Sequence, residues 1–290
     1  MSGKNEEKEN LLRVIYTPQS GLQTPLVMAG QMWKDLLDSR ELAWRLTVRD
    51  IRAQYRQSLL GILWAFLPPI ATALIFVLLN SRKIINISET TIPYPAFAMF
   101  GTVLWQIFVE SLNAPLKSVN KSKSMLTKIH FPREALILSA IEQTLFNICI
   151  KLLILIAIFI VFNISLTWGT LLCLPAILIL MLLGLTFGLL LTPIGMLYTD
   201  VTQGLTIITG LWFFLTPVVY PPLSGFPFSL LTVLNPVCPI LTGARTLATE
   251  GILYNPVPFF WVTFIMLAVL IMSWVIYRLA MPILIERINS

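Results

Sequence analysis

Charge is what this sequence has least of. Of its 290 residues only 12% are Asp, Glu, Lys or Arg, about half the share of an ordinary soluble domain. Histidine occurs once, as His130, with no ligand-spaced partner, so no metal site is expected. The three cysteines, Cys149, Cys173 and Cys238, lie in apolar or proline-rich sequence without a CxxC pair. Apolar packing is their expected role, and no disulfide framework follows from them. There is no GxxxxGK[ST], so the 290 residues hold no phosphate-cradling loop. Acidic residues are sparse in the apolar runs, no two pair obviously for acid–base work, and a nucleophile elbow is missing. These absences argue against a membrane-embedded glycosyl- or acyltransferase. The leading MSGKNEEKEN shows no apolar core with a cleavage site, so no signal peptide is read.

What is present is apolar. Hydrophobic residues make up 57% of the chain, and the mean hydropathy is +0.82. Runs at 59–80, 95–113, 135–162, 171–197, 201–219 and 257–282 read as spans of a bilayer. Pro68-Pro69 is expected to kink the first or end its first turns. Asp200 and Gln203 read as a capping box opening the fifth, and Ser39 as an N-cap between two helices before the first. Between the last two runs, prolines at 217, 221, 222, 227, 236 and 239 break the chain. The apolar pieces there, 226–234 and 240–248, are too short to span. They read as re-entrant helices, with a folded external loop as the alternative.

The expected fold is therefore an all-α polytopic membrane protein with six transmembrane helices. An N-terminal amphipathic interface helix precedes them, and a re-entrant helix pair lies between spans five and six. In domain terms, 1–28 is a loosely ordered cytoplasmic tail, 29–58 amphipathic interface helices and 59–290 the six-span domain. Within 41–58, Trp44, Val48, Ile51 and Tyr55 share one helical face. Arg45, Arg49, Arg52 and Arg56 repeat the same steps one residue later, which suits a bilayer interface. The net charge of +6 is no nucleic-acid signature, because Lys and Arg cluster beside the spans. They concentrate before the first span, in the loop after the second and at the C-terminus. That bias predicts both termini in the cytoplasm.

Three constellations are candidates for function. In the third span Ser139, Gln143, Asn147 and Lys151 recur at steps of four, a polar stripe ending in a cation. Such residues face a bundle interior, a partner or a water path. Lys151 is expected either to meet water in a path or to donate to a neighbouring helix. Glu142 falls on the opposite face from Lys151. The aromatics Trp64, Phe97, Trp105, Trp212, Phe213 and Tyr220 suit the stacking faces of sugars, although packing and lipid contact explain aromatics as well. Third, residues 125–134, MLTKIHFPRE, form a charged, proline-stiffened loop fit for docking. Charge reversal at Arg133 or Glu134 is expected to uncouple transport and leave the fold intact.

At this point the sequence resembles a known family. RDIRAQYRQSLLGILWAFLPP, LTKIHFPRE, YTDV, and LTPVVYPP followed by NP and Arg245 look like the membrane subunits of type-2 ABC exporters. The match is nearest the branch that exports O-antigen, capsule or teichoic-acid chains. Ile137 and Thr199 stand where the family often has proline and arginine. The resemblance implies a homodimer of permeases in the bacterial plasma (inner) membrane, paired with two cytoplasmic ATP-binding subunits. ATP and Mg would sit on those partners, with no cofactor on this chain. It further implies that Arg45, Arg49, Arg52, Lys128, His130, Phe131, Pro132, Arg133 and Glu134 contact the ATPase. The polar stripe and the aromatics would then line the path of a lipid-linked glycan. A drug or simple-lipid exporter of the same architecture is the alternative.

Overall fold

The computed structural model describes residues 25–56, 59, 61–82, 90–126, 128–129, 131–222, 225 and 232–289. The N-terminal tail to residue 24, His130 and most of the first re-entrant piece lie outside the described residues. The described elements are helical. They are α1 (Pro25–Asp38), α2 (Arg40–Arg56), α3 (Leu67–Ser81), α4 (Tyr94–Lys121), the single turn α5 (Lys123–Leu126), α6 (Glu134–Val161), α7 (Cys173–Leu197), α8 (Asp200–Leu215), α9 (Val237–Glu250) and α10 (Pro256–Asn289). Short 3-10 turns, Gly61–Ala65 and Trp168–Leu172, lead into α3 and α7.

Five stretches are long and apolar enough to cross a membrane: Gly61–Ser81, Tyr94–Lys121, Glu134–Val161, Trp168–Leu197 and Pro256–Arg287. The chain is thus a multi-pass membrane protein. The fifth expected span is shorter than the sequence suggests, because α8 stops at Leu215 and Thr216 turns extended. Its 16 residues reach about 24 Å at 1.5 Å each. Residues 216–219 continue as buried, non-helical chain.

Two local expectations are corrected and a third is met in one of its forms. Pro68 and Pro69 do not kink a helix; the opening 3-10 turn Gly61–Ala65 ends before them, and they lie in the first turn of α3, where a missing N–H costs nothing. Asp200 makes no capping box: Thr199 precedes α8 in helical geometry with no side-chain cap, and Asp200 sits in the first turn. Ser39 does not cap α2 with its side chain, since its hydroxyl donates back to the Leu36 carbonyl at 3.0 Å.

The second span is longer than expected. The apolar pattern predicts an end near 113 and a charged loop at 115–133, yet α4 runs unbroken to Lys121 with Pro115 buried inside it. Proline lacks the N–H that would bond the carbonyl four residues back. Helices in protein-packed membrane settings tolerate that loss.

Helix α4 is the centre of the bundle. It packs most extensively on α7, then on α6 and α3, while α7 carries α9 and α10 and α2 lies on α6. The contact between α4 and α7 is close because α7 presents glycines to it. A Cβ on Gly184 would lie 2.6 Å from the Phe108 carbonyl oxygen, and one on Gly188 would overlap the Leu112 carbonyl. Small residues are how membrane helices approach, since lipid removes the hydrophobic force between them.

The connections give the bundle two distinct ends. At one, the late turns of α4, α7 and α10 meet the start of α6, with Ser118 donating to the Leu136 carbonyl at 3.0 Å and Tyr277 to that of Arg133 at 3.3 Å. This basic end carries α1 and α2. At the far end, α9 ends on Gly251 in the left-handed region (φ 74°), a conformation glycine adopts without strain.

The α4–α7 contact gives a paired prediction. Gly188→Ala should lower the melting temperature in detergent, since forced overpacking costs about 1–3 kcal/mol. Gly204 on α8 has open space around it. Gly204→Ala should leave the melting temperature unchanged or raise it, helix propensity favouring Ala by about 1 kcal/mol.

Candidate functional site

The polar stripe of the third span divides between two neighbours. Its first half holds α2. Thr47 donates to Glu142 Oε2 at 2.7 Å, and its hydroxyl oxygen lies 3.1 Å from Ser139 Oγ. Gln143 Nε2 donates to Asp50 Oδ2 at 3.1 Å. The face of α2 buried against the bundle is therefore Ala43, Leu46, Thr47 and Asp50, which leaves the Trp44 side of the helix outward. Trp44 is exposed, and Tyr55 meets Phe146 edge-on at 6.3 Å between centroids. Arg49 binds Asp50 at 2.9 Å and Arg45 the exposed Glu41 at 2.6 Å, while Arg52 and Arg56 are exposed.

The second half reaches α4. Lys151 forms an ion pair and hydrogen bond with Glu110, and the two ends of this pair differ. The lysine side chain is 3% exposed and the glutamate 39%. Glu110 lies on the wall of a cavity of about 710 Å³ between α2, α4 and α6, shared with Arg49, Asp50, Lys117, Lys121, Gln143 and Asn147. So Lys151 meets the second expected outcome, a partner on a neighbouring helix, and that partner opens on a polar cavity. The sequence reading missed Glu110. A lone acid in one apolar run and a lone cation in the next were the available signal, and only helix adjacency pairs them.

At the basic end, Arg278 of α10 binds Glu134 at 2.8 Å and Asp35 of α1 at 2.6 Å. The Glu134 side chain is 7% exposed. These residues border a cavity of about 410 Å³ with Phe131, Pro132 and Arg133. Burial lowers the Arg133 pKa from its usual value, so an acidic neighbour would favour its charged form. The burial of Glu134 against Arg278 points to a structural role beside the docking role expected from the sequence. Lys128 and Pro132 are exposed and Phe131 is half-buried.

At the far end, Arg245 of α9 is buried and donates to the carbonyls of Pro217 at 2.6 Å and Val218 at 3.0 Å. Its guanidinium carbon sits 3.9 Å above the Phe97 ring. This pins the end of α8 to α4 and α9. Asn235 holds the same turn, accepting from Trp212 Nε1 at 3.1 Å and donating to Thr216 Oγ1 at 2.8 Å. Among the aromatic candidates, Trp105, Trp212 and Phe213 join Phe108 and Phe187 in edge-to-face contacts. Trp105 is buried within that cluster. It faces no open path in this arrangement, since neighbouring rings cover it. Trp64 is exposed, and Tyr220 donates to the Phe214 carbonyl at 2.7 Å.

The family model for ABC-2 type transporters matches residues 41–249, from α2 to the end of α9. The chain belongs to the ABC-2 type transporter family. It is 28% identical over 222 residues to the O-antigen export system permease protein RfbA of Myxococcus xanthus, covering 75% of this chain and 84% of that one. It is 26% identical over 235 residues to an RfbA permease of Klebsiella pneumoniae, covering 79% and 88% respectively. A second Klebsiella pneumoniae RfbA is 25% identical over 214 residues, 72% of this chain and 80% of that one. Asp35 and Arg278 fall outside the family match, so the clamp at Glu134 joins a family residue to two beyond it.

Within this ABC-2 transporter the asymmetry of the Lys151–Glu110 pair is testable. Glu110→Gln strands a buried cation, and removing one partner of a buried pair costs about 3–5 kcal/mol. Lys151→Met strands a carboxylate that already borders a polar cavity. Thermal melting should rank Glu110→Gln below Lys151→Met, with the double variant recovering most of the loss. Equal melting of the two single variants would show that the pair is not asymmetric.

Proposed function

We propose that this chain is the permease subunit of an ATP-driven exporter carrying lipid-linked polysaccharide, of O-antigen, capsule or teichoic-acid type, across the bacterial plasma membrane. The observation that carries the reading is the agreement of three O-antigen export permeases, each aligned over more than two thirds of this chain. Family membership supports a transport role without chemistry on this chain.

In this reading two copies pair, each with a cytoplasmic ATP-binding subunit that holds ATP and Mg²⁺. The basic end and both termini face the cytoplasm. Arg45, Arg49, Arg52, Lys128, His130, Phe131, Pro132 and Arg133 form the contact with the ATPase. Glu134 acts one step behind them, anchoring that segment through Arg278 to α1 and α10. Closure of the ATPases would then push on the start of α6 and on α2. The exposed apolar faces of α3, α8 and α10 are available to lipid and to the second copy.

Deletion of this gene in its bacterium should remove the long-chain polysaccharide from the cell surface and leave it inside permeabilised cells. Full surface display after deletion would sink the reading. The purified chain alone should hydrolyse no ATP above a protein-free control, since no phosphate-cradling loop is present.

Reversing single charges separates docking from folding. Arg133→Glu should weaken co-purification of the ATPase at unchanged melting temperature. Glu134→Arg should lower the melting temperature itself, by burying two cations together.

A further inference from the structure

The far end holds a cavity of about 250 Å³ between α9, the start of α4 and the chain entering α10. Acceptors dominate its polar wall, which the Thr91 hydroxyl and the Asn255 amide also line. On α9, steps of four and three set Thr242, Thr246 and Thr249 along one face of the helix, and all three border the cavity. Each hydroxyl has already spent its proton. Thr242 donates to the Cys238 carbonyl at 2.7 Å, Thr246 to Gly243 at 3.2 Å and Thr249 to Arg245 at 3.0 Å. Across the cavity Thr90 donates to the Ile92 carbonyl at 2.7 Å. A hydroxyl that donates elsewhere has only lone pairs left to offer. The carboxylate of Glu250, also on the wall, accepts a hydrogen bond from the Tyr254 hydroxyl. The guanidinium of Arg245 gives two of its five N–H groups to backbone carbonyls and lays a face on the Phe97 ring.

Pro221, Pro222 and Pro239 with Phe97 and Leu253 add an apolar wall. A ligand that fits brings several donors to the threonine lone pairs and a C–H face to the prolines. Phosphate meets the first condition poorly, because it would set acceptors against those lone pairs and lie beside the Glu250 carboxylate. A lipid chain fails it. A pyranose ring meets both, with hydroxyl donors around its edge and an apolar face for the prolines. The volume lies just under the range of about 300–1,000 Å³ typical of drug-sized ligands, which suits one sugar residue and not a glycolipid.

We propose that this cavity is a saccharide subsite that holds one sugar residue at the end of the bundle away from the Arg-striped helix. The assignment rests on the reading of the chain as a polysaccharide exporter, in which that end faces outward and meets the emerging glycan.

The test uses the full chain with its ATP-binding partner in lipid nanodiscs. Saturation-transfer NMR is run with methyl glycosides of glucose, mannose, galactose and rhamnose, with inorganic phosphate as competitor. At least one glycoside should receive saturation, and phosphate should not displace it. Thr242→Val with Thr246→Val keeps the shape and removes two acceptors. Binding should weaken about ten-fold or more, roughly one neutral hydrogen bond being lost at each position. Thr242→Ser with Thr246→Ser should restore it. Thr206→Val on the exposed face of α8 should change nothing.

No transfer to any glycoside in the unaltered protein would overturn the subsite. So would transfer that is equal in the valine variant, or displacement by phosphate. If the valine variant melts lower, the serine variant and the phosphate competition decide. An absent subsite with normal dependence of export on this gene overturns this inference alone. Surface polysaccharide persisting after deletion overturns the export reading instead.

Discussion

Everything in the bundle hangs on how closely α7 approaches α4. Gly184 and Gly188 lie against the carbonyls of Phe108 and Leu112, and Gly195 against the Leu116 side chain. Backbone meets backbone where side chains would otherwise hold the helices apart. Dispersion then acts over the shortest distance that two helices allow, which matters where lipid is as apolar as leucine. From this seam α6 and α3 take the remaining sides of α4, and α9 and α10 take those of α7. Pro115 fits the same logic. Its ring lies beside Gly188, so the helix continues through a residue that usually ends one.

Buried charge is handled in three different ways along the molecule. Lys151 has one carboxylate, which itself borders a polar cavity. Arg278 has two, and thereby joins the first helix, the sixth and the last at the basic end. Arg245 has none within ion-pairing distance among the described residues, and relies on carbonyls and a ring face. A guanidinium suits the last two roles because its planar fork reaches two acceptors at once. The ammonium of Lys151, a point charge on a flexible stem, suits a single partner.

Much of the fold was legible in the sequence, because hydropathy reports burial in lipid directly. The starts of α6, α7 and α10 fall within three residues of the expected spans. The short helix α9 encloses the expected 240–248 piece. Misreadings came where a local rule met a tertiary contact. Pro115 signalled a loop, but packing on α7 kept the helix going. Asp200 and Gln203 had the spacing of a capping box, yet Thr199 entered α8 already helical. On α2 the apolar spacing picked out the Trp44 face, and it gave no sign that Thr47 and Asp50 hold the partners on α6. Of the site, the polar stripe was visible by its period. Its partners were not, because Glu110 and Asp50 lie on other helices and no helix period links them to Lys151 and Gln143. Glu134 stood out as part of a charged loop, and its burial depended on Arg278, 144 positions away.

The way Arg245 is held has a consequence for the conditions the far end can meet. Its partners are two backbone carbonyls and a phenyl ring, and none of them takes up a proton in water. The fastening between α9, α4 and the turn after α8 therefore has no partner group that gains a proton as its surroundings acidify.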